Sequence, residues 1–453
     1  MSYQQQHVVT RFPPSPTGKL HIGNARTALF NYLFAKNQGG KIILRFEDTD
    51  RARSKKEYEE NILDALSWLG MEFAETYRQS ERTSIYRKYL EKLVSSNAAY
   101  ISDETDTAGK KSSVIRFRNP NTTITFNDLI RGDITFDTKD LNDFIIARSI
   151  DDPIYHFAVV VDDFEMGLTH IIRGEDHISN TPRQILIQEA IGAPRPIYAH
   201  LPLILSKDRS KLSKRSNAIA TTDYRELGYL PEAVINYLAL LGWNPGTEQE
   251  IFTIKELIQQ FDIGKIQKGG AVFDIEKLNW INKEHIKKLP RETYARLIEP
   301  YLPQSLLEHT QNKEKLERLI PLMQEKTVIL CDVKTQFEQG DYAYFFSDPA
   351  PYDINNLMWK DQKIPQITAE KLSKVFEILL QIPRENFSEI SVKEKIWDFA
   401  TIAGRGTILW PMRYALSGRE RSPDPFSLSA VLGKEETLSR IKNAITLLKE
   451  HAH

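Results

Sequence analysis

A histidine and a glycine stand where a short apolar run gives way to a helical pattern. Val8–Val9 predicts a β-strand, and the segment from Pro13 to Gly18 predicts a rigid turn, because prolines fix φ and glycine allows a tight bend. The following residues tolerate a helix as far as Asn37. His21 and Gly23 therefore lie at a predicted helix N-terminus, where backbone N–H groups and the helix dipole favour an anion such as phosphate. An ordinary strand–helix turn with a solvated histidine would give the same pattern.

Two lysines occur three residues apart in a polar stretch far from this turn. The stretch from Lys207 to Ser216 reads KDRSKLSKRS, with Lys211 and Lys214 on either side of Ser213. Such a run is usually a solvated charged loop. Beside a histidine at a helix start, it predicts instead a mobile loop whose lysines close over a triphosphate. Neither segment has the glycine spacing of a Walker A loop or of the dinucleotide fingerprint.

Together the two segments resemble the signature motifs of class I aminoacyl-tRNA synthetases. HIGN at His21–Asn24 is similar to HIGH, and KLSKR at Lys211–Arg215 is similar to KMSKS. Four longer stretches, in an order and spacing that also fit, resemble bacterial glutamyl-tRNA synthetase: RFPPSPTGKLHIGNARTALFNYLFA, LRFEDTDRAR, VVVDDFEMGLTHIIRGEDHISNTPRQ and YLPEAVINYLALLGW. The resemblance runs to about Asn282 and is weaker in the last third of the chain.

The resemblance implies a ligase that activates L-glutamate with ATP and transfers it to the 3′-terminal ribose of tRNA-Glu. It implies catalytic roles for His21, Lys211 and Lys214. The implied ATP-binding residues are His21, Gly23, Asn24, Asp176, Lys211, Leu212, Ser213, Lys214 and Arg215. Mg²⁺ is the expected companion of ATP, and no residue is assigned to a metal. Some relatives carry a Cys/His zinc site in an insertion, but residues 98–154 contain no cysteine, so we expect no zinc.

Glutamate carries two carboxylates and one ammonium, and the resemblance implies a pocket for all three. The implied glutamate-binding residues are Arg11, Ser15, Glu47, Tyr155 and Arg173. The two arginines are fork-shaped donors suited to carboxylates, although each could instead form a structural salt bridge. A further family position, often asparagine, is Val159 in this chain. We assign Asp50 to the tRNA 3′ end, and His156, His170 and His200 to structural roles.

Composition excludes several classes of protein. The 453 residues carry a formal net charge of −1, so RNA binding would depend on local basic patches. No apolar run reaches the roughly 18 residues of a membrane helix, and no signal peptide is evident. Cys331 is the only cysteine, which favours a reducing compartment and an apolar role for that thiol. We expect a cytoplasmic protein without a membrane partner, and a monomer.

The order of apolar patterns predicts an α/β fold followed by an all-α part. A doubly wound, Rossmann-type parallel sheet is interrupted by a small α+β insertion. The predicted domains are residues 1–97 and 155–220 for the two halves of the catalytic domain, 98–154 for the acceptor-end insertion, 221–290 for a helical stem-contact region and 291–453 for a helical anticodon-binding region. Within this scheme Ile154–Asp163 is predicted to return to the sheet, and Gly404–Pro411 to separate two helices.

Three alternatives to the glutamate–tRNA ligase stay open at the level of sequence. The chain could glutamylate tRNA-Gln, either as a non-discriminating enzyme or as a paralogue restricted to that tRNA. It could glutamylate a modified base in tRNA, although the complete KLSKR loop and long helical C-terminal part argue against that. It could also be an RNA-binding paralogue without activity, against which His21, Lys211 and Lys214 argue.

Overall fold

The chain consists of short strands and many helices. The computed structural model describes residues 7–105, 111–210, 212, 220–308, 310–347, 352–360, 362 and 364–451. The chain divides into two units, Met1–His285 and Ile286–His453. In chain order the strands are β1 (Val9–Phe12), β2 (Lys41–Phe46), β3 (Glu75–Arg78), β4 (Ala99–Thr105), β5 (Lys111–Phe117), β6 (Thr123–Asp128), β7 (Gly132–Asp137), β8 (Phe144–Ser149), β9 (Asp152–Pro153), β10 (His170–Gly174), β11 (Ile197–Leu201), β12 (Ile204–Leu205) and β13 (Ala271–Val272).

Helices alternate with strands in the first unit and dominate the second. The first nine are α1 (Ile22–Asn37), α2 (Lys56–Trp68), α3 (Thr83–Ser95), α4 (Tyr155–Glu165), α5 (Thr181–Ile191), α6 (Thr221–Glu226), α7 (Pro231–Leu240), α8 (Ile254–Gln260) and α9 (Ile275–Lys288). The others are α10 (Arg291–Ile298), α11 (Gln304–Leu307), α12 (Thr310–Lys326), α13 (Asp332–Glu338), α14 (Ala343–Phe346), α15 (Ile354–Leu357), α16 (Pro365–Leu380), α17 (Glu389–Ala403), α18 (Arg405–Ser417), α19 (Pro425–Leu432) and α20 (Lys434–Glu450). No helix within the described ranges is long and apolar enough to cross a membrane.

Two sheets meet side by side in the first unit. Strands β1, β2 and β3 pair in parallel, and so do β10 and β11, each successive pair being joined by a helical crossover. Strands β1 and β10 adjoin, because Thr169 N donates to Val9 O at 3.0 Å and Val9 N donates to Thr169 Oγ1 at 2.9 Å. The carboxyl ends of β1, β2 and β10 therefore face one edge, where doubly wound sheets bind ligands. The predicted doubly wound parallel sheet is confirmed.

Helix α1 and strand β2 are buried on nearly every side. Strand β2 is buried from Ile42 to Phe46, as expected of a parallel strand covered on both faces. The chain turns between them at Gly39, whose φ of +64° favours glycine. A Cβ on the next residue, Gly40, would lie 2.0 Å from Val8 O. Only glycine at position 40 allows the close approach that brings β2 beside β1.

The predicted insertion contains two different structures. Strands β4, β5, β8 and β9 form an antiparallel sheet. The hairpin of β6 and β7 joins the parallel sheet instead, since β6 pairs with β11 at Asp128 and Tyr198. The β6–β7 hairpin within residues 98–154 thus belongs to the sheet that contains β10.

Two predicted elements are wrong. Ile154–Asp163 does not return as a strand, because Tyr155–Glu165 is helix α4, buried from Phe157 to Asp163. An unbroken apolar run has no period by which a buried helix differs from a buried strand. The segment Gly404–Pro411 as a whole does not separate two helices either. Gly404 alone, at φ +96°, ends α17, and Pro411 lies inside α18. Burial of Pro411 and its neighbours in α18 outweighs its poor helix propensity.

Candidate active site

A cavity of about 390 Å³ opens at the carboxyl edge of β1, β2 and β10. It brings together ten residues predicted from the sequence: Arg11, Ser15, His21, Gly23, Asn24, Glu47, Tyr155, Arg173, Asp176 and Leu212. Four other predicted residues, Lys211, Ser213, Lys214 and Arg215, lie outside the described residues. Asp50 does not line the cavity. Its half-exposed carboxylate pairs with Arg53 at 2.7 Å, in the loop after β2.

Arg173 is a buried cation near the end of β10 with no carboxylate in the described part of the chain within ion-pair distance. Its side chain donates to three neutral acceptors, His200 Nε2 at 3.1 Å, Gln184 Oε1 at 2.7 Å and Thr181 Oγ1 at 2.8 Å. Arg173 is only 5% exposed, and burial lowers the pKa of its guanidinium. A buried charge is costly unless paired, so this arginine suits an anionic ligand in the cavity.

Arg11, at the end of β1, is the second guanidinium of the cavity. It is 1% exposed, and its contacts are long: Nη1 donates to Ile172 O at 3.4 Å, and Nε lies 3.4 Å from Asp163 Oδ1. Asp163 accepts more closely from Arg45, at 2.7 Å. Most of the donor capacity of Arg11 is thus available to a ligand.

Glu47 follows β2 and is a buried carboxylate that lines the same cavity as these arginines. Arg45 Nη2 donates to it at 3.1 Å, and its backbone N–H donates to Pro14 O at 3.0 Å. Burial raises the pKa of Glu47, although Arg45 and Arg11 act to lower it. A buried carboxylate beside a space for ligand is suited to an ammonium group.

An ion-paired cluster lies beneath the cavity. Arg45, fully buried, pairs with Asp163 and Glu47 and lies 3.7 Å from Asp162, which accepts from Arg82 at 2.7 Å. Three guanidinium groups (Arg11, Arg45 and Arg82) therefore face three carboxylates (Glu47, Asp162 and Asp163). Arg173 adds a positive charge to this balanced set. The cavity therefore favours a ligand with a net negative charge.

Tyr155 begins helix α4 and contacts a residue that the sequence did not single out. Its hydroxyl lies 3.1 Å from His177 Nδ1. Burial raises the pKa of Tyr155 to about 12, so the hydroxyl keeps its proton at neutral pH. Burial also lowers the pKa of His177 to about 4, with Arg173 acting in the same direction. Both groups are neutral hydrogen-bonding partners in the cavity.

His21 caps α1 and lines the cavity. Its Nδ1 accepts from Gly23 N at 3.1 Å, so a neutral ring carries its proton on Nε2. A Cβ on Gly23 would lie 3.4 Å from the His21 ring, which glycine leaves uncrowded. An N–H donor and a helix N-terminus together suit a phosphate group.

Asp176 and Leu212 also line the cavity. A Cβ on Gly174 would lie 2.4 Å from Asp176 Oδ1, so glycine allows the chain to turn there after β10. Leu212 N donates to Ile204 O at 2.9 Å, which places the one described residue of the KLSKR stretch beside β12.

Within the described ranges no three His, Cys, Asp or Glu side chains could hold a metal ion.

Several residues of this region escaped the sequence analysis. They are His177, Arg26, Arg45, Asp162, Asp163, Thr181 and Gln184. A signal in the sequence could have identified Arg45, Asp162 and Asp163, because charged residues inside apolar runs must be paired once they are buried. No pattern in the sequence indicates which partners they have. Val159, considered for the pocket, is 1% exposed and does not line it.

Two family models match almost the whole chain. The catalytic domain of class I tRNA synthetases (E and Q) matches residues 7–111 and 103–280. An anticodon binding domain matches residues 293–445.

Related proteins match over nearly the same length of the chain. A glutamate–tRNA ligase of Desulforamulus reducens is 40% identical, with 96% of this chain and 99% of the relative covered. One of Aquifex aeolicus is 41% identical, with 97% and 99% covered. The solved structure of a glutamate tRNA ligase from Elizabethkingia meningosepticum, in complex with its amino acid, has a TM-score of 0.81 at 33% identity, covering 98% of this chain and 100% of that one. This chain therefore belongs to the glutamate–tRNA ligase family of class I tRNA synthetases.

Proposed function

We propose that this chain is a glutamate–tRNA ligase, which activates L-glutamate with ATP and transfers it to the 3′-terminal ribose of tRNA-Glu. The observation that carries the proposal is the placement of Arg173, a buried arginine lacking a carboxylate partner among the described residues, in one cavity with Arg11 and Glu47. The names of the relatives support the same reaction.

The cavity offers a partner to each charged group of glutamate. Arg11 and Arg173 would receive the two carboxylates, and Glu47 would receive the ammonium, with Ser15 and Tyr155 as further hydrogen-bonding groups. Glutamine would place an amide NH₂ against a guanidinium, donor against donor. A site built on such buried pairing can discriminate between the two substrates by about 10⁴–10⁵.

The first step joins glutamate to AMP. A carboxylate oxygen forms a bond to the α-phosphorus of ATP while the bond from that phosphorus to pyrophosphate breaks. The protein moves no proton in this step, so catalysis depends on positioning and on stabilising negative charge. His21 Nε2–H would donate to the phosphates, and Lys211 and Lys214 are proposed to neutralise the departing pyrophosphate.

The second step moves the glutamyl group to tRNA. A hydroxyl of the terminal ribose bonds to the acyl carbon, AMP leaves with the electrons of the acyl–phosphate bond, and the hydroxyl proton passes to the phosphate of AMP. Asp50, in the exposed loop after β2, is the proposed contact to the 3′ end. The helical part at residues 293–445, which matches the anticodon-binding model, is the proposed site for the other end of tRNA.

ATP is proposed as a substrate with Mg²⁺ bound to its phosphates. The described residues provide no cluster of three metal ligands, so we assign none of them to Mg²⁺. The absence of zinc, the cytoplasmic location and the monomeric state remain predictions from the sequence.

The test is aminoacylation with radiolabelled glutamate on purified tRNA-Glu and tRNA-Gln transcripts, with radiolabelled glutamine as the control. We expect glutamate on tRNA-Glu and no charging with glutamine. Glutamate on both transcripts would identify a non-discriminating ligase, whose product on tRNA-Gln needs an amidotransferase. No charging of either transcript would contradict the proposal.

A further inference from the structure

Arg173 is oriented by a histidine rather than by a carboxylate. Its Nε–H donates to His200 Nε2 at 3.1 Å, and His200 is 0% exposed. A guanidinium has no acceptor, so His200 must present the lone pair of Nε2 to Arg173. A neutral imidazole then carries its proton on Nδ1.

Asp128, from the hairpin of β6 and β7, fixes that tautomer. Its Oδ2 lies 2.6 Å from His200 Nδ1, and its Oδ1 accepts from the backbone N–H groups of Ile130, Arg131 and His200 at 3.0, 2.9 and 3.3 Å. Burial acts to raise the pKa of Asp128, but hydrogen bonds from His200 and the backbone outweigh burial and lower it. An ionised carboxylate only accepts, so Nδ1 must donate.

We propose that Asp128 and His200 are positioning residues that hold Arg173 in the orientation in which it receives a carboxylate of glutamate. The proposal rests on the proposed function, because it assigns Arg173 to the amino-acid substrate. It also replaces the structural role predicted for His200 from the sequence.

The surroundings of the two residues support this assignment. Thr181 and Gln184 accept from the Nη atoms of Arg173, so three of its five N–H groups are engaged and two remain for a substrate. The His200 ring lies parallel to the ring of Tyr198, with 9° between the planes and 6.2 Å between the centroids. Burial lowers the pKa of His200, with Arg173 and Arg131 acting in the same direction, so the ring stays neutral near pH 7 although Asp128 acts to raise it.

An isosteric change at Asp128 tests the relay without changing its shape. In Asp128→Asn the amide oxygen must stay at the Oδ1 position, because three backbone N–H groups point there. The amide NH₂ then faces His200 Nδ1, which must accept, and the ring proton moves to Nε2. The Nε2–H of His200 and the Nε–H of Arg173 would then face each other. Thr181 Oγ1, 3.3 Å from Nε2, already accepts from Arg173 Nη2, so Arg173 would turn away.

We expect Asp128→Asn to raise the KM for glutamate by about tenfold or more, since a buried donor loses its acceptor, and to leave the KM for ATP unchanged. The matched control is Asp133→Asn on β7 of the same hairpin, an exposed aspartate that accepts from Asn127 at 2.8 Å. It should change neither constant. A KM for glutamate equal to the wild-type value in Asp128→Asn would overturn the proposal.

Nitrogen-15 NMR of histidine-labelled protein reports the tautomer independently of activity. We expect the signal of His200, identified by its loss in His200→Asn, to show an unprotonated Nε2 in the wild type and a protonated Nε2 in Asp128→Asn. A protonated Nε2 in the wild type would overturn the relay. If the wild type failed to charge tRNA, the proposed function would be contradicted. The tautomer of His200 would still show whether Asp128 acts on Arg173 through His200.

A second pair of variants covers the case in which Asp128→Asn does not fold. His200→Asn keeps a donor near Asp128 and loses the acceptor for Arg173, whereas His200→Gln can place an amide oxygen near the position of Nε2. We expect His200→Gln to recover part of the affinity for glutamate that His200→Asn loses. Equal KM values for glutamate in these two variants would contradict a positioning role.

Discussion

Arg45 and Asp163 form an ion pair of 2.7 Å beneath the cavity, with Arg45 fully buried. Each partner also reaches a group that faces the cavity: Arg45 donates to Glu47 at 3.1 Å, and Asp163 lies 3.4 Å from Arg11 Nε. The proposed acceptor for the ammonium and one proposed donor for a carboxylate are therefore held by the same pair. Its removal should affect both folding and glutamate binding.

Arg45→Met should lower the free energy of unfolding by about 3–5 kcal/mol, because it leaves buried carboxylates without their cation. Urea unfolding of the full chain measures the change. Arg148→Met is the matched control, since Arg148 pairs with Asp152 at 3.3 Å on an exposed surface. That variant should lose less than about 1 kcal/mol. Equal losses in the two variants would show that the buried pair contributes no more than a surface pair.

Arg173→Lys should raise the KM for glutamate by about 10–100-fold, because lysine keeps the charge but lacks the planar fork that binds a carboxylate through two N–H groups. The KM for ATP should not change. Both constants come from aminoacylation at saturating tRNA. Arg195→Lys, at an exposed arginine paired with Glu189 at 2.6 Å, is the control and should leave both constants as in the wild type. An unchanged KM for glutamate in Arg173→Lys would place the carboxylates elsewhere.

The edge of the sheet could be predicted because its residues follow apolar runs directly. Arg11, Glu47 and Arg173 stand at or next to the ends of β1, β2 and β10, and parallel strands bring such ends to one edge. Helix α1 could be predicted because its residues tolerate a helix and two glycines follow it. Apolar runs and the residues that end them were thus enough to predict these elements and the edge of the sheet at which the cavity opens.

The contacts beneath the cavity could not be predicted. Asp128 and His200 are 72 positions apart, and Arg45 and Asp163 are 118 apart, so no local pattern pairs them. The misassigned helix α4 also carries Asp162 and Asp163, and a strand in its place would have directed alternate side chains to opposite faces. Which buried charges meet depends on packing across the sheet, and a single sequence does not contain that information.

Glutamate affinity should fall on the acid side of neutrality because Glu47 must be ionised to bind an ammonium. Burial raises the pKa of Glu47 above the ordinary glutamate pKa of about 4.3, although Arg45 and Arg11 act to lower it. Glu47 therefore becomes protonated at a higher pH than an exposed glutamate does. As the pH falls through this raised pKa, Glu47 loses its charge and kcat/KM for glutamate declines. A pH profile of kcat/KM at saturating ATP and tRNA measures the decline.

The control for this profile is Glu47→Gln, which has no ionisable group at the position. Its kcat/KM should be lower throughout and should lack the acid decline assigned to Glu47. The profile of kcat/KM for ATP at saturating glutamate should also lack it in the wild type. An acid decline of the same midpoint in Glu47→Gln would assign the titration to another group.

His21 has two roles that one substitution separates. Its Nδ1 caps α1 by accepting from Gly23 N at 3.1 Å, and its Nε2–H is the proposed donor to phosphate. Asparagine is also a good N-cap, but its side chain is too short to place a donor where Nε2 lies. His21→Asn should therefore change the free energy of unfolding by less than about 1 kcal/mol. It should slow ATP–pyrophosphate exchange, measured with tRNA present, by about 10²–10³-fold.

His21→Ala removes both roles and serves as the comparison. It should lose about 1 kcal/mol more in the free energy of unfolding than His21→Asn, because alanine cannot cap the helix, while exchange should be equally slow in the two variants. Exchange at the wild-type rate in His21→Asn, together with slow exchange in His21→Ala, would show that the cap alone matters. The phosphate would then be bound by the backbone N–H groups at the start of α1 rather than by the imidazole.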